Sequence, residues 1–226
     1  MPQCDRFVFW GSAGHAKVIA DIVTLSGGSV IALFDNNPDA HSCLDKVPLF
    51  LGTSGFSEWL NEQKSLQGIG AALAIGGHRG SERQHIAQQL LDAGLSLPTL
   101  IHPSAVISES ASLGDGCQIL ANCVVAADVS MNAFCILNNS ANVDHECVFG
   151  CGVHIAPGAV LCGCVTVADN SFIGAGAVIL PRVMIGSNVL VGAGAVVTRN
   201  IPDDVVVFGN PAKIIKPNTP QHRDDV

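Results

Sequence analysis

The chain has 226 residues, 48% hydrophobic and 13% charged, with a formal net charge of −8. That length accommodates two units with separate cores, and the negative balance argues against nucleic acid or an anionic membrane surface as partner. No apolar run is long enough to span a bilayer and no signal peptide is read at the start, so the nine cysteines are expected as thiols of a reduced cytoplasm rather than as a secreted disulfide framework.

The first hundred residues alternate strand and helix. Phe7 to Trp10 reads as a strand, followed by the glycine turn GSAGHA, a helix carrying Val18, Ile19, Ile22 and Val23, and the stop Gly27-Gly28. The strand SVIALFD ends at Asp35 in the turn DNNPD; a helix follows around Phe56 to Gln63, then the strand AALAIG, the turn GHRGSERQ and a helix from Ser81 to Leu91. This order predicts a small parallel, Rossmann-like α/β sheet whose ligand side is the carboxyl edge of its strands. GSAGHA lacks the full GxGxxG pattern, and a tight connection accounts for it equally well. Asp35 closes the next strand and Gly76-Gly77 the third, so three strand ends converge where a nucleotide diphosphate meets backbone N–H groups at a helix start.

From Ile101 the pattern changes. Seventeen consecutive hexads open with Ile, Leu, Val, Met or Phe, and their fifth place holds only Ala, Cys, Val, Ser or Ile. A helix repeats at 3.6 residues and a strand at 2, so a period of six means short strands turning identical corners. The fifth place and the next first place point inward, and the sixth points outward. Second and third places are expected to form the corner, because the second is Gly, Asn or Asp in eight hexads, including Asn138, Asp144 and Gly174. Three sides close a triangular coil, and coils stacked at strand spacing give a prism about 27 Å tall. The expected division is 1–100 for the α/β unit, 101–215 for the prism and 216–226 for a tail, with the boundary near Pro98 or Pro103.

Candidate chemistry lies on the prism surface. His145 is at a corner between Asp144 and Glu146, where a carboxylate on one imidazole nitrogen raises basicity at the other; Asp144 itself suits an ordinary corner residue. His154 occupies an outward strand position expected to face a groove, and Asn138 holds a corner slot that suits an ordinary turn residue. IGAGAV at 173 and VGAGAV at 191 are eighteen residues apart, so the corners Gly174-Ala175 and Gly192-Ala193 should stack; they suit either close packing or approach of an extended ligand arm. Arg199, Lys213 and Lys216 supply charge for phosphates or belong to a solvated tail. Cys135 and Cys147 fall in the inward slot, where a thiol is a poor nucleophile.

GSAGHAK, FDNNP and AIGGHRGSERQ, followed by an uninterrupted hexapeptide prism containing NNSANVDHEC, resemble the PglD/NeuD-type sugar-nucleotide acyltransferases over nearly the whole chain. The resemblance implies a left-handed parallel β-helix, assembly into a homotrimer with sites between subunits, and transfer of acetyl from acetyl-CoA to the amino group of a nucleotide-linked amino sugar of the UDP-4-amino type. Acetyl-CoA is then a co-substrate, with no permanent cofactor or metal. Ser12, Ala13, Gly14, His15, Asp35, Asn36, Gly76 and Asn138 would bind the sugar nucleotide, Asn36 standing where an acidic residue often follows the first Asp. His154, Gly174, Ala175, Ala193 and Lys213 would contact acetyl-CoA, and His145 would be the general base oriented by Glu146. Attack is expected to be direct, with no acyl-enzyme.

The alternatives are a sialic acid O-acetyltransferase on the same fold and a non-catalytic sugar-nucleotide binder. A zinc hydratase similar to γ-class carbonic anhydrases would need His102, His145 and His154 to converge, yet their spacings of 43 and 9 are not multiples of eighteen.

Overall fold

A computed structural model describes residues 4–219. The first unit is a parallel sheet of β1 (Arg6–Trp10), β2 (Ser29–Asp35), β3 (Leu49–Leu51) and β4 (Ile69–Leu73) in the order β3-β2-β1-β4. Alternation along β1 sends Val8 and Trp10 to one face, where α2 (Gly52–Glu62) and α3 (Gly80–Asp92) bury Phe56, Trp59, Ile86 and Leu90. Phe7 and Phe9 point to the other face, against Ile19, Ile22 and Val23 of α1 (Gly14–Leu25). Sequence reading placed α2 four residues late and missed β3. Three residues, Leu-Phe-Leu, at the sheet edge carry too little alternation to declare themselves.

The remainder is the expected left-handed parallel β-helix. Seventeen two-residue strands, Leu100–Ile101 to Val196–Val197, stack at a register of eighteen on three faces. The inward places are almost fully buried from the second coil upward, including Cys117, Ile119, Cys135, Leu137, Val153 and Ile155. Each such aliphatic side chain contributes about 1.5–3 kcal/mol.

One expectation is corrected here. The turn falls at the third and fourth places, and every fourth-place residue from Gly116 to Gly194 has a positive φ, including Glu146 at 57° and Cys164 at 61°. Second-place residues stay extended and keep their rung of the ladder, with Asn138 N–H on Ile155 O at 2.8 Å and Asp144 N–H on Leu161 O at 2.9 Å. Glycine occurs there for closeness of approach: a Cβ on Gly174 would lie 2.6 Å from Ala193 N. Asn and Asp occur there because their side-chain oxygens accept the next N–H, as Asp144 Oδ1 does from His145 at 2.8 Å.

The chain from 205 onward is not a free tail. Strands Val205–Gly209 and Ala212–Pro217 form an antiparallel hairpin that extends one face of the prism, so ordered strand runs past 215; residues 220–226 lie outside the described residues. The first unit sits on that same face. Leu100 and Leu120 of the prism join its α1-side core, Phe134 packs against its other core, and Thr99 Oγ1 donates to Gly114 O at 2.7 Å.

Candidate active site

One coil places the candidate residues. Ile136–Leu137 lies on the face covered by the first unit, Asn142–Val143 on the second and Val148–Phe149 on the third. Asn138 therefore begins the corner between the covered and second faces, called here the near corner. His145 occupies the corner between the second and third faces, directly opposite the covered one.

At that far corner His145 and Glu146 are exposed, and His145 Nδ1 lies 2.9 Å from Glu146 Oε2. The carboxylate only accepts, so Nδ1 carries the hydrogen, which in the neutral imidazole leaves the lone pair on Nε2. The bond from His145 holds the Glu146 carboxyl below its usual range, helped by the Cys164 thiol 3.6 Å away. The imidazole lies over Gly163, one coil on, where any Cβ would strike Nε2. Glycine at +18 from the histidine was legible in the sequence and was not read. Cys147 is wholly buried, and burial pushes its thiol up to about 11, which removes it as a nucleophile at neutral pH.

The seam between the units holds the other histidines. His154 does point outward from its strand, but it is 3% exposed because the turn after β4 covers it; the expectation that it faces an open groove is corrected accordingly. Its Nδ1 donates to Gly77 O at 3.1 Å, Nε2 accepts from Asn138 Nδ2 at 3.3 Å, and its ring meets Phe172 edge-on at 5.1 Å. Burial, with the Arg83 charge second, pushes its pKa down to about 3, so it is neutral. His15 donates from Nε2 to Gln118 Oε1 at 2.6 Å, and Gln118 Nε2 donates to Leu73 O at 2.7 Å. Burial lowers the His15 pKa as well.

Arg83, absent from the expected site, is fully buried and tied to backbone oxygens of both units: Ile75 O at 3.2 Å and Gly77 O at 3.3 Å on one side, Gly152 O at 2.5 Å and Phe134 O at 3.3 Å on the other. Burial pushes its pKa down to about 10, which leaves it charged at neutral pH.

The expected cradle divides into pinned and open parts. Ser12 is buried, with its N–H on Asp35 Oδ2 at 2.7 Å and its hydroxyl on His41 O at 2.7 Å, while Asp35 Oδ1 accepts from Asn37 N–H at 2.9 Å. These two residues shape the turn. Ala13 and Gly14 are exposed at the start of α1, which has no side-chain cap and no acidic residue in its first turn. Its first N–H groups are thus available to an anion. Asn36 is half-buried beside Asp35, and Gly76 lies against the His15 and His154 rings.

Gly174-Ala175 and Gly192-Ala193 stack on the near corner as the spacing requires, with Gly194 N–H on Ala175 O at 2.8 Å. Ala175 and Ala193 are exposed, whereas Phe208 of the hairpin covers Gly192, and Lys213 is Phe208's partner across that hairpin. Lys213 is exposed there. One chain thus gathers cradle, Asn138, the Gly-Ala corners and Lys213 on one side, with His145 and Glu146 on the other. His102, on the near corner, converges with neither His145 nor His154.

Residues 6–90 match the PglD N-terminal domain, and residues 146–181 and 165–199 match the bacterial transferase hexapeptide (six repeats). PerB of Caulobacter crescentus, solved with CoA and GDP-perosamine, is 36% identical, with 93% of this chain and 97% of that one aligned at a TM-score of 0.83. The acetyltransferase domain of PglB from Neisseria gonorrhoeae FA1090, solved with acetyl coenzyme A, is 32% identical, with 94% and 100% aligned at 0.83. A GDP-perosamine N-acetyltransferase of Escherichia coli O157:H7 is 34% identical over 93 residues, which span 41% of this chain and 42% of that protein.

Proposed function

The chain belongs to the PglD/NeuD-type hexapeptide-repeat sugar N-acetyltransferases, whose characterised members use acetyl-CoA as co-substrate, and from that premise we propose that it acetylates the amino group of a nucleotide-diphosphate-linked amino sugar. The observation that carries the reading is the far-corner dyad: an exposed imidazole with one nitrogen fixed by a carboxylate and the other bare over a glycine. His145 Nε2 takes a proton from the sugar amine as the nitrogen attacks the thioester carbonyl, and Glu146 stabilises the imidazolium that forms. The C–S bond then breaks, the imidazolium gives its proton to the leaving sulfur, and CoA departs as the thiol. Transfer is direct in this reading, and Cys147, beside the dyad in sequence, takes no part because it is buried.

The nucleotide diphosphate sits at the open N–H groups of Ala13, Gly14 and His15, in a turn that Ser12 and Asp35 hold in shape, with Asn36 and Gly76 at its rim. Asn138 and His154 hold the floor on the prism side. Both solved and curated relatives named for their substrate act on GDP-perosamine, which moves the first choice of nucleotide from UDP to GDP and favours amine over hydroxyl acceptors.

Base and cradle lie on opposite sides of one chain, so the site is assembled between copies. The second face presents the column Val106, Val124, Asn142, Val160, Val178 and Val196, of which Val106 is 65% exposed. Three prisms with these faces turned to a common axis form a homotrimer, burying an apolar strip. That packing sets the near corner of one chain against the far corner of the next. Acetyl-CoA lies between them, its arm on Ala175 and Ala193 beside Gly174, its phosphates reached by Lys213 of one chain and Arg199 of the next.

The test is to follow thiol release from acetyl-CoA with GDP-, UDP- and dTDP-linked amino sugars and with free sialic acid. Release with a GDP-linked amino sugar is expected. Release only with sialic acid would replace the reading by O-acetylation, and release with none would favour a binding protein.

A further inference from the structure

We infer that His145, Glu146 and Cys164 form a zinc-class metal site whose occupation disables the catalytic imidazole. The ligand atoms of these residues lie within 4.8 Å of one another. Glu146 Oε2 is 2.9 Å from His145 Nδ1 and 3.6 Å from Cys164 Sγ. Tetrahedral zinc, with bonds of about 2.0 Å to nitrogen and oxygen and about 2.3 Å to sulfur, separates its ligand atoms by roughly 3.3–3.5 Å, so small side-chain adjustments close the set.

The fold makes this juxtaposition rigid. Glu146 and Cys164 hold the same fourth place one coil apart, each in the left-handed region, and Cys164 N–H donates to His145 O at 2.8 Å. The imidazole reaches the same corner from the third place, over Gly163, and the exposure of His145 and Glu146 leaves room for a water as fourth ligand. Imidazole, carboxylate and thiolate together select zinc or cobalt(II) over magnesium or calcium.

The proton balance links occupancy to activity. Cys164 binds as thiolate, so its S–H proton leaves to solvent. His145 binds through Nδ1, and the hydrogen there moves to Nε2, which then has no lone pair to accept a proton from an amine. Glu146 is drawn from the imidazole to the metal. Binding rests on geometry alone, whereas inhibition rests on the proposed role of His145.

Metal-stripped full-length protein is titrated with zinc by calorimetry and with cobalt(II) by near-ultraviolet absorption, alongside Cys164→Ser and Cys164→Gly. The glycine variant suits a place that Gly152, Gly158 and Gly176 fill elsewhere in the prism. Wild type is expected to bind one zinc per chain, release a proton and show a thiolate-to-cobalt band. Both variants should lose the band, bind zinc at least about tenfold more weakly and, each measured against its own metal-free rate, escape inhibition by zinc. An unchanged band and affinity in both variants would place the metal at other cysteines and overturn the site, as would no saturable zinc binding to wild type. Cys164-dependent binding that leaves transfer unaffected would keep the site and remove His145 as base.

Discussion

Two histidines nine residues apart on one prism have opposite fates. His154, at a sixth place, is roofed by the first unit, satisfied on both nitrogens and held neutral. His145, at a third place on the opposite corner, is exposed with one nitrogen bare. Hexad position and the covered face decide between cement and chemistry; residue type does not. The seam is a structure of buried polar groups without carboxylates, and the far corner is an open dyad of little structural weight.

That contrast breaks first at Arg83. Arg83→Ala leaves Ile75 O, Phe134 O and Gly152 O without this donor, and Gly77 O with His154 alone, and is expected to cost about 3 kcal/mol or more, read as a lower urea midpoint. At the far corner, His145→Ala should lower kcat/KM for acetyl transfer about a hundredfold or more while leaving the urea midpoint in place. If the midpoint fell and activity survived, the roles of the two regions would be exchanged.

Acid sharpens the same division. His154 has its pKa lowered from 6.5 to about 3 in the folded chain, so its contribution is complete above pH 6.5 and is lost as the pH falls toward 3. Between pH 7 and pH 5 that loss amounts to about 2 kcal/mol, measured by urea unfolding and absent in His154→Gln. His15, with its pKa lowered by burial, adds in the same direction. A smaller effect is expected at Gly163. In Gly163→Ala the new methyl group occupies the place of His145 Nε2, and the displaced ring should reduce transfer about tenfold with stability nearly unchanged.

Period six and the inward slots were legible, because burial in a prism repeats with the coil and leaves a large and a small apolar residue in fixed places. The turn was misplaced by one residue and its left-handed position by two, since Gly, Asn and Asp at the second place answer to close approach and local N–H bonds, while the left-handed fourth place accepts Phe134, Glu146, Cys164 and Arg182. His145 and Glu146 announced themselves by adjacency. Arg83 did not, because its partners are backbone oxygens, which leave no pattern in side-chain identity. The burial of His154 was equally hidden, since no periodicity reveals which prism face another unit covers. Cys117, Cys123, Cys135 and Cys147 are buried thiols as their inward slot requires, and among the described residues no helix is long and apolar enough to cross a membrane.

Assembly of each site from two chains is tested by subunit mixing. His145→Ala removes the base, and Ala13→Asp sets a carboxylate against the diphosphate at a helix N-cap that tolerates Asp. Each homomer is expected to be nearly inactive, and equal co-assembly of the two should restore about a quarter of wild-type activity, from sites that join an intact base to a neighbour's intact cradle. Mixed assemblies no more active than either parent would contradict a site shared between chains.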